Sequence, residues 1–218
     1  MRNGQTQQVT ILGVTSSGIK VQLGQGVMVQ PFANVAAVAM PPPPEYAAAQ
    51  TAYEGGDLKT ALNNATSVVR NYRGLPTDWA QHAMLTLGDI YVDLNQLPQA
   101  QAIYADYQRA YPAAGTAGIS VGLARIDVSK KDYAAAKAKI DPILAQALKQ
   151  RNPPKAASEL IGRAYYVSGQ IKEQAGDLPG ALEDYLRTVA IFPDDRVAAA
   201  SALEKADALR KEHGTTVP

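Results

Sequence analysis

Residues 95–112 read NQLPQAQAIYADYQRAYP, and residues 176–193 read GDLPGALEDYLRTVAIFP. Laid side by side, they share Leu97/Leu178, Pro98/Pro179, Ala100/Ala181, Tyr104/Tyr185 and Pro112/Pro193, every pair 81 positions apart. Gly88 and Ile90 match Gly169 and Ile171 at the same offset. Self-similarity of this kind marks one supersecondary unit copied along a chain, and such arrays are mostly binding scaffolds.

Two further stretches carry the same signals. Gly56-Asp57-Leu58, Asn95-Gln96-Leu97, Lys131-Asp132-Tyr133 and Gly176-Asp177-Leu178 all read as turns. Each is followed, three residues after its Leu or Tyr, by an alanine: Ala61, Ala100, Ala136 and Ala181. A small residue at that point lets two antiparallel helices cross closely, so Ala100 and Ala181 are expected to be buried. Asp57, Asp132 and Asp177 suit the N-cap of the second helix of a pair. Pro98 and Pro179 suit its first turn, where the missing N–H costs nothing. Tyr104 and Tyr185 should fill the space between helices, and Pro112 and Pro193 should end theirs.

These residues resemble the tetratricopeptide repeat family. The best unit covers residues 79–112, with Trp79, Leu87, Gly88, Tyr91, Ala100, Tyr104 and Pro112 on the family pattern. A second uses Tyr165, Gly169, Ala181, Tyr185 and Pro193. In the other two, Ala49 and Ala124 stand where the packing glycine belongs, and neither ends in the expected proline. The four alanines are spaced 39, 36 and 45 residues apart, against a family period of about 34. The surplus falls into residues 73–76 and 150–155. Residues 194–213 read as a capping helix with acids at its start and bases at its end. The resemblance implies a mainly α fold: an α-α superhelix of about four helix pairs plus a cap over residues 45–213, with a disordered tail at 214–218.

Residues 1–40 have another character. Their only charged side chains are Arg2 and Lys20. Val9 and Ile11, then Ile19, Val21 and Leu23, then Val27 and Val29 recur at spacing two, the period of half-buried strands. Ser16-Ser17-Gly18 and Gly24-Gln25-Gly26 supply turns between them. The expectation is a small antiparallel β-sheet or barrel-like domain of three or four strands, with Val9, Ile11, Ile19, Val21 and Val29 inward and a fourth strand near Val35 and Val38. Residues 27–32 would form an uncharged edge. The pattern resembles small barrels of the SH3 or Sm-like type. Pro41, Pro42, Pro43 and Pro44 form an extended linker, since proline fixes φ and lacks a donor.

Composition narrows the function. Formal charge is +1 over 218 residues, so no global field draws the chain to nucleic acid. The absence of cysteine excludes disulfides, thiolate metal sites and cysteine catalysis. Only His82 and His213 exist, too few for a convincing Ser-His-Asp or two-histidine metal centre. Gly24 and Gly26 precede no helix and cradle no phosphate. Asp194-Asp195 reads as a helix cap before it reads as a cation site. The expectation is a non-enzymatic protein with no cofactor, no bound metal, no nucleic-acid partner and no membrane span.

In the tetratricopeptide family, partners usually lie along a concave face formed by the first helix of each pair. Mapped here, the resemblance implies a groove lined by Tyr46, Gln50, Tyr53, His82, Asp89, Asp93, Arg125, Arg163, Tyr166, Gln170 and Glu173, holding a protein or peptide segment. The competing expectation is a structural component of the bacterial cell envelope that self-associates or docks through its β region. The cysteine-free, Gln- and Thr-rich start resembles exported bacterial proteins whose signal peptide has been trimmed. A periplasmic or otherwise exported location is therefore expected, with the cytoplasm as the alternative.

Overall fold

The computed structural model describes residues 6–150 and 152–214. Of the tail expected at 214–218, residues 215–218 lie outside the described residues. The chain is mainly helical, with a small antiparallel sheet near its N-terminus. Its contacts divide it into two compact units, residues 1–114 and 115–218.

In the first unit, strands β1 (Thr10–Thr15), β2 (Gly18–Leu23) and β3 (Gly26–Pro31) form a three-stranded meander in the order β1-β2-β3. A two-residue turn, Gly24-Gln25, closes on the pair Leu23/Gly26, with Gly24 at φ 60°. A positive φ at the first central residue but not at Gln25 is the II′ geometry, which matches the strand twist and favours glycine at the first position. That turn sets the register. Ile19 and Val21 are buried and pair with Gln30 and Met28, so those four share the core face. Val29 pairs with Lys20 and is exposed. The expectation that Val29 points inward is thus corrected: the hairpin register puts it on the outer face.

The expected fourth strand is also absent. Pro31 is followed by a short 3-10 turn, Phe32–Asn34, after which Val35 and Val38 reach the core from irregular chain. The sheet does not make this core alone. Ile19 and Val21 cluster with Leu75 and Ala80, with Tyr72 and Trp79 packed around them. The Trp79 indole donates to the Met40 carbonyl at 2.9 Å, holding the chain just before the proline run. Pro43 is extended, and Pro44 opens the first helix.

The helices of this unit are α1 (Pro44–Glu54), α2 (Leu58–Tyr72), α3 (Asp78–Asp93) and α4 (Leu97–Ala110). The second unit holds α5 (Ala117–Ser129), α6 (Tyr133–Ala147), α7 (Lys155–Gln174), α8 (Leu178–Ala190) and α9 (Arg196–His213). Within each unit, successive helices pack on one another, and the odd-numbered ones also touch: α1 with α3, α5 with α7, α7 with α9.

Four helix pairs are joined by the same turn. Residues 55–57, 94–96, 130–132 and 175–177 each separate two packed helices. The middle residue is left-handed every time: Gly56 at φ 77°, Asn95 at 55°, Lys131 at 62° and Gly176 at 79°. The following amide reaches five residues back, as in Asp57 to Ala52, Gln96 to Tyr91, Asp132 to Asp127 and Asp177 to Lys172, at 2.8–3.0 Å. These bonds satisfy the last carbonyls of the first helix in the Schellman manner. Asp57, Asp132 and Asp177 then cap the second helix by accepting from the amides of Thr60, Ala135 and Gly180.

One prediction arises here. Lys131 holds a conformation that costs an L-residue roughly 1–2 kcal/mol, part of which glycine returns as unfolded-state entropy. Lys131→Gly should raise stability by about 0.5–1 kcal/mol in urea unfolding. A loss instead would mean that the Lys131 side chain makes a contact worth more than its backbone strain.

Candidate interaction surfaces

The close crossings are decided by volume. Gly88 faces the Tyr104 ring, and a β-carbon placed on Gly88 would lie 2.7 Å from Tyr104 Cζ. Gly169 faces Tyr185 in the same way, with 2.6 Å to Cδ1. Ala100 and Ala181 are fully buried beside them. In the two pairs without this glycine, the ring is gone as well. Position 49 is Ala with Ala65 at the ring's place, and position 124 is Ala with Ile140 there, all four buried. At Ala124/Ile140 the methyl gained on one helix is matched by the volume lost on the other, which keeps that crossing at interior density; at Ala49/Ala65 more volume is lost than gained.

In the first unit, the candidate residues of α1 and α3 bond mainly to each other. Tyr46 Oη meets His82 Nδ1 at 2.8 Å, and Gln50 Nε2 donates to Thr86 Oγ1 at 3.2 Å. The Tyr53 hydroxyl donates to Asp93 at 2.6 Å. The Tyr46 ring stands edge-on to both Trp79 and His82. Asp89 is not on an open face. It is 1% exposed and accepts from the Tyr104 hydroxyl at 2.8 Å, so the expectation that it lines the groove with Asp93 is corrected. Asp93 itself is exposed.

In the second unit, Arg163 on α7 is bound to Asp195, the N-cap of α9. Its Nε donates to Asp195 Oδ2 at 2.7 Å, and its terminal nitrogen pairs with the same oxygen. Asp195 also accepts from the Ala198 amide at 2.9 Å. Burial alone would push the Asp195 carboxyl upward. The charge of Arg163, the Ala198 amide and the charge of Arg125 outweigh that and hold it below the ordinary carboxylate range. Glu173 accepts from the Tyr185 hydroxyl at 2.5 Å and pairs with Lys205 on α9 at 3.0 Å. Burial, then the Glu173 carboxylate, raise Tyr185 far above the ordinary tyrosine range. Tyr166 and Gln170, one turn apart on α7, hydrogen-bond at 3.3 Å and are half-buried. Arg163 and Glu173 thus fasten α7 to its neighbours, whereas Tyr166 and Gln170 keep surface.

The sequence did not point to Asp184, which is 1% exposed and bonded by Ser168 at 2.6 Å, Lys172 at 2.6 Å and Arg187 at 3.3 Å. Nor did it point to a cleft of about 780 Å³ over the core face of the sheet. Ile19, Val21, Leu23 and Met28 form its floor, and residues 6–9 and 35–39 its walls. The uncharged run from Val21 to Pro44 was its only trace in the sequence. Among the described residues, no three His, Cys, Asp or Glu side chains converge on a metal-sized site, and no helix is long and apolar enough to cross a membrane. The chain matches no protein-family model, no curated protein and no solved structure.

Proposed function

We propose that the chain is a non-enzymatic protein–protein interaction scaffold of the tetratricopeptide type, whose first-helix faces hold a peptide or protein segment. The observation that carries this reading is the recurrence of one three-residue turn, with one left-handed residue, at four helix pairs. The glycine–tyrosine crossings at Gly88/Tyr104 and Gly169/Tyr185 support it further. An array of copied helix pairs spends its sequence on stacking and leaves its faces for partners. The half-buried positions with surface to offer are Tyr46, Gln50 and His82 in the first unit, and Arg125, Tyr166 and Gln170 in the second.

Tagged chain immobilised with its captured partner tests the reading. Gln50→Lys and Gln170→Lys, one in each unit, place a charge on each face at a half-buried position. At least one should abolish capture while leaving the thermal midpoint within a few degrees of the parent. Capture that survives both changes would remove the helical faces as the site.

A second reading is favoured by one observation. Leu12, Leu23, Val27, Met28, Val29 and Phe32 are all exposed large apolar side chains of the β region. Leu23 and Met28 lie on one face of the sheet and Val27 and Val29 on the other, and exposed apolar side chains clustered along one strand mark an interaction site more often than scattered ones do. In this reading the β region is the docking element of an assembly component.

A further inference from the structure

The geometry points to β3 as a self-pairing edge, through which a second copy of this chain adds its own β3 to make a continuous six-stranded antiparallel sheet. This deepens the second reading above and names its partner.

The argument begins with the backbone. In an antiparallel hairpin, opposed residues alternate between hydrogen-bonded and non-bonded pairs. A two-residue turn makes its closing pair, Leu23/Gly26, a bonded one. Counting along the register, Met28 and Gln30 also bond inward to β2. Val27 and Val29 therefore turn their N–H and C=O groups outward, and Pro31 turns out a carbonyl with no donor behind it. No strand pairs with that side of β3 among the described residues. The other edge is treated differently. β1 carries a bulge between Ile11 and Gly13 and packs against α2. Bulges and covering helices are the usual protections of an edge strand, and β3 has neither.

The side chains select the occupant. No charged residue lies between Val21 and Pro44, so two copies of β3 meet without opposed like charges. The run Val27-Met28-Val29 is also its own complement. Antiparallel pairing about a dyad at Met28 sets Val27 of each copy against Val29 of the other, both bonded through their outward amides. β-branched residues directly opposed across strands stabilise a sheet. The two Met28 side chains, 49% exposed in the single chain, then meet on the face that carries the cleft. A charged foreign strand would meet no counter-charge on this edge.

The test is sedimentation of the full chain over a concentration series, with the thermal midpoint measured alongside. Dimer formation that rises with concentration is expected. Val27→Lys/Val29→Lys sets like charges opposite each other in the proposed register and should weaken self-association by about tenfold or more. Val27→Glu/Val29→Lys places the introduced acid of one copy opposite the introduced base of the other and should retain the dimer. Both variants carry Val29→Lys, which faces Lys20 across the hairpin, so any small fall of the midpoint should be common to the two. A dimer indifferent to the double-lysine change, or lost equally in both variants, overturns the proposal. So does a chain that stays monomeric. If that monomer still takes up an uncharged, valine-rich strand peptide in a manner blocked by Val27→Lys/Val29→Lys, the β region docks foreign strands. If it takes up none, the docking reading fails with the self-pairing.

Discussion

Arg163→Ala should destabilise the second unit by about 3–5 kcal/mol at neutral pH, the range for removing one partner of a buried ion pair. The reason lies in what it leaves behind. Asp195 is 8% exposed, and without Arg163 its carboxylate loses the largest of the favourable charges that offset the cost of burial. The pH dependence separates this cause from simple loss of packing. In the parent, the Asp195 carboxyl is held below its unfolded value. Its contribution is therefore fully present above that unfolded value, about 3.9, and is lost as pH falls through the lower folded value. In the variant, burial is less opposed, so Asp195 binds its proton at higher pH and the buried charge disappears earlier. The stability gap should be widest near neutrality and shrink steadily as pH falls toward and below about 4. Urea unfolding followed by far-ultraviolet circular dichroism at several pH values measures it. A gap under about 1 kcal/mol at pH 7, within the range of an exposed pair, would show that the pair is not structural. A gap of constant size across pH would assign the loss to packing.

The same residue shows where sequence could and could not see the fold. Helix starts, turns and the repeat were legible because they are written locally. Asp57, Asp132 and Asp177 sit three residues before the amides they cap. Asp195 could be read as a cap for the same reason. Its partner Arg163 lies 32 residues away on another helix, and nothing periodic connects the two. Arg163 therefore looked like a free groove residue. Asp89 failed similarly: an acid on a helix reads as surface until a tyrosine hydroxyl 15 residues later turns out to need an acceptor inside. In the sheet, the alternation was visible, but which valines face in depends on the hairpin register, and one residue of slip reverses every side chain. Pro142 reads as a helix breaker, yet α6 runs through it. The degenerate pairs were read as departures from the pattern, yet Ala124 with Ile140 keeps nearly the same sum of volumes at the crossing by another split, whereas Ala49 with Ala65 is a smaller pair.

That last point yields a cycle. Gly88→Ala alone sets helix propensity against space. Alanine favours the helix by about 1 kcal/mol, but its methyl would press on the Tyr104 ring. The ring cannot easily swing aside. It is 1% exposed, and its hydroxyl is held by Asp89, which is equally buried. Overpacking of this kind costs typically about 1–3 kcal/mol and sometimes more, so the net change should be a loss of about 1–2 kcal/mol. Tyr104→Ile alone should cost about 2–4 kcal/mol, since it opens a void over Gly88 and takes one donor from a buried acid. Combined, the two changes rebuild the Ala124/Ile140 arrangement at this crossing. The methyl of the first then fills part of the void left by the second, and the double variant should be more stable than the two losses added together by about 1–2 kcal/mol. Trp79 is the only tryptophan of the chain and belongs to this unit, so its fluorescence during urea unfolding follows the transition that matters. Strict additivity, within about 0.5 kcal/mol, would mean that residues 88 and 104 do not share one volume, and the case for a copied crossing would fall with it.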